Sequence, residues 1–433
     1  MNAARSVRRP VTAETIAVGS ELLVGGRSDS NSLFITEALG RLGIEVRFKS
    51  IVGDDLADMV QVLKTAVSRA GVVVMTGGLG PTVDDCTREA VAKATGCRLA
   101  RRKTALEGMT ARLAQWGRTP NTGQLRQAMI PAGATVVANP VGSAPGFLLE
   151  WKGATVVSLP GVPREMEAMM TETVIPFLRE RLARSRHIHP QPVIRQVFHT
   201  WGLPEADVDA RLLGVIPQGL PVDLGLLASP MGVLVSLTTK SGGTGPVADD
   251  MLASLALEVR TRLKDSLFAE GRETMEEVVG RLLAGRTLTV AVAESCTGGL
   301  IGHRLTQVPG SSAYVDRGAI CYSNRSKSEM LGVPAELIAK HGAVSPEVAA
   351  AMARGIRERA GVSVGLSVTG IAGPGGATGT KPVGLVYVGL DGETGGAVTR
   401  EFRFHGDRSV IKQRSSQAAL DLLRRWILSQ GGA

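Results

Sequence analysis

Three times this chain runs from a short β-patterned stretch straight into a glycine-rich turn. Residues 72–75 lead into Thr76-Gly-Gly-Leu-Gly80, residues 287–293 into Glu294-Ser-Cys-Thr-Gly-Gly299, and residues 362–368 into Thr369-Gly-Ile-Ala-Gly-Pro-Gly-Gly376. The continuous apolar run at 72–75 is of the kind that a parallel sheet buries on both faces. Glycines let the backbone approach a ligand closely, and a helix starting behind the turn aims unpaired N–H groups at an anion. In open α/β sheets ligands bind beyond the carboxyl ends of the strands. An α/β fold of this chain therefore carries its chemistry in these turns.

The surrounding pattern is regular. Strands are predicted at 15–18, 44–52, 72–75, 135–138 and 155–159, with helices at 30–42, 56–69, from Asp84 and from Arg164. Such alternation predicts a sheet covered on both faces, a three-layer domain over residues 13–183. The polar, proline-bearing segment 184–192 marks a boundary. Residues 193–270 read strand, helix, strand, strand, helix, a small α+β connector with a hairpin at 226–239 and a flexible turn at 241–246. Residues 273–433 return to α/β, with strands at 287–293, 319–322, 362–368, 383–390 and 398–404 and helices at 298–306, from Lys327, at 346–360 and at 409–428. Residues 1–12, where Arg5, Arg8 and Arg9 have no acidic partner, read as a disordered basic extension.

Composition narrows the function classes. Aromatic residues are 3% of the chain, which argues against a stacking groove for single-stranded nucleic acid. The net charge of +9 is spread along the chain and suits phosphate-bearing substrates as well as it suits a plain Arg-rich surface. Cys86, Cys97, Cys296 and Cys321 show neither CxxC nor zinc spacing, so free thiols in a reducing compartment are expected. No apolar run reaches the length of a membrane span, and no signal-peptide core follows the basic start; a soluble cytoplasmic protein is expected.

In Thr76-Gly-Gly-Leu-Gly-Pro-Thr-Val-Asp-Asp-Cys-Thr87, Thr82 and Asp85 have capping-box spacing. Asp84 and Asp85 are then either favourable acids in a first helical turn or ligands of a divalent metal that lets carboxylates sit beside a phosphate and polarises a phosphoryl oxygen. In the last domain, Ser312, Tyr322 and Lys327 combine a hydroxyl with two possible proton acceptors, and no histidine lies close in sequence. Ser326-Lys-Ser-Glu329 reads as a capping box that puts Lys327 at the first position of a helix, where the dipole disfavours its charge. Lys327 as a solvated cation and Tyr322 as a buried strand residue is the plain alternative. Cys296 is a rival nucleophile, because helix starts lower thiol pKa values. Arg408, in His405-Gly-Asp-Arg408, is a phosphate clamp or a surface arginine.

Together these motifs, with Asn139-Pro-Val-Gly-Ser-Ala-Pro-Gly146 and Leu159-Pro-Gly-Val-Pro-Arg-Glu-Met166, resemble the CinA (competence/damage-inducible) family from about Thr12 onward. The resemblance implies a MogA-like, molybdopterin-binding N-terminal domain, a KH-like connector and a C-terminal nicotinamide-nucleotide amidohydrolase domain of the PncC type. It implies deamidation of nicotinamide mononucleotide (NMN) by the last domain without a metal, with Ser312 as nucleophile and Tyr322 and Lys327 as proton-transfer partners. Glu294, Ser295, Thr297, Gly298, Thr369, Gly370 and Arg408 then line the nucleotide pocket. For the first domain it implies cleavage of ADP-ribose to AMP and ribose 5-phosphate, with Glu21, Asn31, Thr76, Gly77, Gly78 and Gly80 at the substrate and Asp84 and Asp85 on a divalent metal such as Mg or Co. The alternative is that this domain only binds molybdopterin or a nucleotide, or acts as a competence accessory. A homodimer is implied; direct nucleic-acid binding is not expected. The chain departs from the family pattern at Gly26, where many members carry Gln, and at Arg27-Ser28, where they carry apolar residues.

Overall fold

The computed structural model describes residues 11–184, 193–239, 246–393 and 396–430. The basic extension up to residue 10, the boundary segment 185–192 and most of the 241–246 turn lie outside the described residues. The chain divides into two compact units, one ending at Ile194 and the other beginning at Arg195, with residues 239–248 grouped with the first.

In the first unit β1 (Thr12–Val18), β2 (Glu45–Val52), β3 (Val72–Thr76), β4 (Thr135–Val137), β5 (Gly146–Trp151) and β6 (Ala154–Leu159) form one sheet in the order β2-β1-β3-β6-β5-β4. The first four strands in that order run parallel, and β5 and β4 add antiparallel. Val73 and Met75 of β3 pack with α2 (Leu56–Arg69) and α3 (Thr87–Thr95). Val72 and Val74 point the other way, to α1 (Asn31–Arg41) and α4 (Pro163–Met169). A strand sandwiched between two helical layers has no polar face, which explains the unbroken apolar run. The helix expected from Asp84 begins instead at Thr87, whose N–H bonds to Gly78 O at 3.1 Å. Asp85 turns back onto the N–H (2.8 Å) and hydroxyl (2.5 Å) of Thr82, so the pair closes a loop rather than capping a helix.

Apart from Thr239 and residues 246–248, which group with the first unit, the second unit takes in the connector, built by β7 (Arg195–Thr200), α5 (Glu205–Leu212), β8 (Val222–Ser229), β9 (Gly232–Thr239), α6 (Pro246–Leu263) and β10 (Leu267–Glu270), with strand order β8-β9-β7-β10. Its last strand is additional to the expected pattern. There follow α7 (Met275–Gly285), β11 (Val290–Glu294), α8 (Leu300–Gln307), β12 (Val315–Ile320), α9 (Asn324–Leu331), α10 (Pro346–Ala360), β13 (Val364–Gly370), β14 (Leu385–Gly392), β15 (Gly396–Arg403) and α11 (Arg408–Ser429). The sheet order is β12-β11-β13-β14-β15, with β11 parallel to both neighbours and the last two strands antiparallel. Trp201 of the connector is buried in the same core as α7 and α11. Arg424 and Arg425 of α11 donate to Asp265 O at 2.9 and 3.2 Å. Connector and last domain thus share a core. No helix among the described residues is long and apolar enough to cross a membrane.

Candidate active site

Parallel pairing sets Glu294 of β11 opposite Ile320 of β12, so the residues that follow each strand emerge at the same end of the sheet. From β11 emerges the turn 295–298, closed by Gly298 N–H to Ser295 O at 3.1 Å. From β12 emerge Cys321 and Tyr322, then Ser323, which caps α9 in a capping box with Ser326. Lys327 is therefore the fourth residue of α9 rather than the first. Its side chain folds back over the strand ends and is 1% exposed. Nζ lies 3.0 Å from Ser295 Oγ, 2.9 Å from Cys321 O and 3.4 Å from Tyr322 O. Among the described residues no carboxylate pairs with it. Burial pushes its pKa below the ordinary lysine value, against a smaller opposing effect of the Cys321 and Cys296 thiols. The depression arises from desolvation, not from the first-position dipole effect read from the sequence.

This arrangement separates the three residues grouped from the sequence. Ser312 is exposed on the short 3-10 turn Ser311–Ala313, before β12, and lines a cavity of about 430 Å³ with Glu294, Gly299 and His303. Tyr322 is 60% exposed, and its hydroxyl accepts from Arg408 Nη2 at 2.8 Å. Only Lys327 sits in the buried pair, and its partner is Ser295.

The phosphate reading of the Glu294–Gly299 turn changes as well. The Glu294 carboxylate accepts from the N–H groups of Gly299 (2.9 Å), Ile301 (3.1 Å) and Gly302 (2.8 Å). The start of α8 is already filled by the chain's own negative charge, so it does not serve a phosphate. An anion is better met on α11. Arg408 and Lys412, one turn apart, line a cavity of about 600 Å³ with Thr297, Gly298, His303 and Gln413. Arg408 is fixed there by Gly373 O at 2.6 Å and by Tyr322. Thr297 is fully buried, and its hydroxyl has no partner among the described residues. Gly298 has φ +61°, and a Cβ there would lie 3.6 Å from Lys412 Nζ, at the mouth of this cavity. Thr369 is tied to Ala343 O at 2.8 Å, and Gly370 is packed against Val386. The sequence reading missed Lys412. Its spacing of four from Arg408 on a predicted helix was the available signal.

Cys296, read as a rival nucleophile, is buried, and burial drives its thiol up to about 12. Brief iodoacetamide treatment of the folded protein near about pH 8 is expected to leave Cys296 unmodified by mass spectrometry. Rapid alkylation there would contradict its burial.

In the first unit, Glu21, Asn31 and Thr76 line one cavity of about 600 Å³ with Asp29, Gly161 and Pro163. Asn31 Nδ2 donates to Gly161 O at 2.9 Å, and its buried Oδ1 has no partner among the described residues. Gly77, at φ +105°, leaves no room for a Cβ against Val18 O. Gly78 lies against Thr87, and Gly80 against Asp85. Buried Arg88 donates to Leu79 O and Gly80 O at 2.8 and 3.1 Å, which fixes the loop from beneath. Asp84 is exposed, and neither it nor Asp85 is in the lining that contains Glu21 and Asn31. Among the described residues no three His, Cys, Asp or Glu side chains form a ready cage for an ion. The two aspartates fit a metal only as one or two carboxylates completing a shell otherwise made of substrate phosphate and water.

Family models match three consecutive segments: "Probable molybdopterin binding domain" at residues 14–180, "Damage-inducible protein CinA KH domain" at 195–269 and "CinA C-terminal domain" at 272–427. A putative competence-damage inducible protein of Halothermothrix orenii is 41% identical over 96% of this chain and 98% of its own length. A CinA-like protein of Koribacter versatilis is 42% identical over 96% of this chain and 100% of its own length. The crystal structure of competence/damage inducible protein CihA from Agrobacterium tumefaciens is 42% identical over 34% of this chain and 93% of that one, with a TM-score of 0.34. With all three segments in order and full-length relatives of this similarity, the chain belongs to the CinA family.

Proposed function

We propose that the last domain is an amidohydrolase that converts NMN and water to nicotinate mononucleotide and ammonia, with Ser295 rather than Ser312 as its nucleophile. The observation that carries this reading is the buried amine of Lys327, with no carboxylate partner among the described residues, 3.0 Å from Ser295 Oγ. A neutral amine has two N–H groups and one lone pair. The carbonyls of Cys321 and Tyr322 only accept, so they take the N–H groups and leave the lone pair to Ser295. Lys327 then draws the proton as Ser295 Oγ attacks the carboxamide carbon. The N–H groups of Cys296 and Thr297, inside the turn, are the candidates for the developing oxyanion. Lys327 returns the proton to the departing nitrogen, ammonia leaves, and water hydrolyses the acyl-serine with Lys327 again as base. Arg408, steadied by Tyr322, and Lys412 receive the phosphate. No metal enters these steps.

For the first domain the same reading is metal-dependent cleavage of ADP-ribose to AMP and ribose 5-phosphate, with part of the substrate in the cavity holding Glu21, Asn31 and Thr76 and its diphosphate reaching out of that lining to Asp84 and Asp85. A divalent ion such as Mg or Co would be held by Asp84 and Asp85 and would polarise a phosphoryl oxygen. The engagement of Asp85 by Thr82 favours a second reading, in which this domain only binds molybdopterin or a nucleotide. The partners of the whole chain are the two nucleotides and a second copy of itself, in the cytoplasm.

The test is one preparation of the full chain assayed on both substrates. Ammonia release from NMN is expected to be unchanged by EDTA, whereas ADP-ribose cleavage is expected to fall at least ~100-fold with EDTA or with Asp84→Asn. No ammonia from NMN sinks the first reading. No metal-dependent cleavage of ADP-ribose leaves the binding reading for the first domain.

A further inference from the structure

The carbonyls of the Thr76–Gly80 turn are drawn inward one after another. Gly77 O accepts from the Thr87 hydroxyl at 2.9 Å, and Gly78 O from the Thr87 N–H at 3.1 Å. Leu79 O accepts from Arg88 Nη1 at 2.8 Å and from Gln127 Nε2 at 3.1 Å, and Gly80 O from Arg88 Nη2 at 3.1 Å. Thr87, Arg88 and Gln127 are each buried. In a trans peptide the N–H points opposite to the C=O of the same unit. The N–H groups of Gly78, Leu79 and Gly80 are therefore turned away from that buried cluster, and none of them has an acceptor among the described residues. Gly78 and Gly80 are half-buried, and a glycine has only backbone to expose. We propose that Arg88 is a positioning residue of the first-domain site, which holds the turn so that its free N–H groups face a metal-bound diphosphate. This rests on the diphosphate reading of that domain.

A row of such N–H groups suits an anion. The turn also borders the cavity of Glu21 and Asn31: Gly161 lines that cavity, and a Cβ on it would lie 3.3 Å from Gly77 Cα. Arg88 is a costly way to hold two carbonyls. Among the described residues its guanidinium forms no ion pair with a carboxylate, and a buried cation without one is destabilising. A neutral amide can bond Leu79 O, as Gln127 shows. What the guanidinium adds is a fork that grips both carbonyls and a positive charge beneath the N–H row. Asp85 stands beside Gly80, where a Cβ would lie 2.5 Å from its Oδ2. A bare anion meets that carboxylate, whereas a diphosphate carrying a divalent cation does not.

The probe is the uncleavable α,β-methylene analogue of ADP-ribose with Mg, titrated calorimetrically into full-length Ser295→Ala protein. Excess NMN keeps the nucleotide pocket of the last domain filled. Saturable binding is expected, and Arg88→Met is expected to weaken it at least ~10-fold. Thr87→Val, nearly isosteric, releases Gly77 O and is expected to weaken it at least ~3-fold; it decides the matter if Arg88→Met does not fold. With Ser295 intact and ADP-ribose as substrate, Arg88→Met is expected to raise KM by the same factor and to keep kcat within about threefold. An arginine that only supported the fold would lower the unfolding temperature and the number of binding sites, and would leave Kd and KM alone. Absence of saturable binding, or an unchanged Kd in the folded variants, overturns the proposal. Arg88-dependent binding without any cleavage of ADP-ribose keeps it and sinks only the catalytic reading of the first domain.

Discussion

Ser295→Ala is expected to lower NMN deamidation by at least ~10³-fold, while Ser312→Ala keeps the rate within about threefold. The contrast follows from where the two hydroxyls stand. Ser295 Oγ is on the buried amine of Lys327, and Ser312 is on an exposed turn at the far end of β12. A strand rises about 3.3 Å per residue, so Val315–Ile320 alone separates Ser312 from the Lys327 end by roughly 20 Å, far beyond proton transfer. Removing the Ser295 hydroxyl leaves Lys327 its contacts with Cys321 O and Tyr322 O, so the variant should unfold close to the wild-type temperature. That makes lost ammonia release a statement about chemistry. The reverse pattern, with Ser312→Ala dead and Ser295→Ala active, would move the reaction to the cavity beside Gly299 and His303.

The same residues show how far the sequence could be read. Helices Leu56–Arg69 and Pro346–Ala360 have the predicted bounds, because each is one amphipathic stretch with a capping Asp55 or Ser345 in front. The turns were legible as sites because they follow buried strands. Less legible was which serine caps α9. Ser323 and Ser326 compete for that role three residues apart, and the choice of Ser323 advances Lys327 by one turn and buries it. Distance along the chain misled too. Ser312 is 15 residues from Lys327 and Ser295 is 32 away, but parallel strands bring together the residues that follow each strand, not those before it. Strand β5 escaped notice although Lys152-Gly153, both at positive φ, turn it directly into β6. The bonds of Glu294 to the start of α8 were not legible, because that helix start is invisible until the turn has closed.

Lys327→Met should cost deamidation at least ~10³-fold and yet leave the protein folded, with a pH signature that a structural lysine would not give. Only the neutral amine accepts the Ser295 proton. Below the Lys327 pKa its neutral fraction falls about tenfold per pH unit, so kcat/KM should descend with unit slope on the acid side. Because burial sets that pKa below an ordinary lysine, the limb should end at lower pH than for an exposed amine. Stability must follow with a definite sign. Between the lowered folded pKa and the ordinary unfolded one, the unfolded chain binds a proton that the folded chain does not. Unfolding free energy therefore rises with pH across that window, and below it the buried charge is carried at a cost. Methionine has no proton to bind, so the advantage of Lys327→Met over wild type in thermal unfolding should be largest in acid and shrink as pH rises. Lys327→Arg, always charged and bulkier, should lose both activity and stability. A Lys327→Met enzyme with near-normal turnover, or a wild-type kcat/KM without any acid-side limb over the pH range in which the protein stays folded, would remove the amine from the reaction.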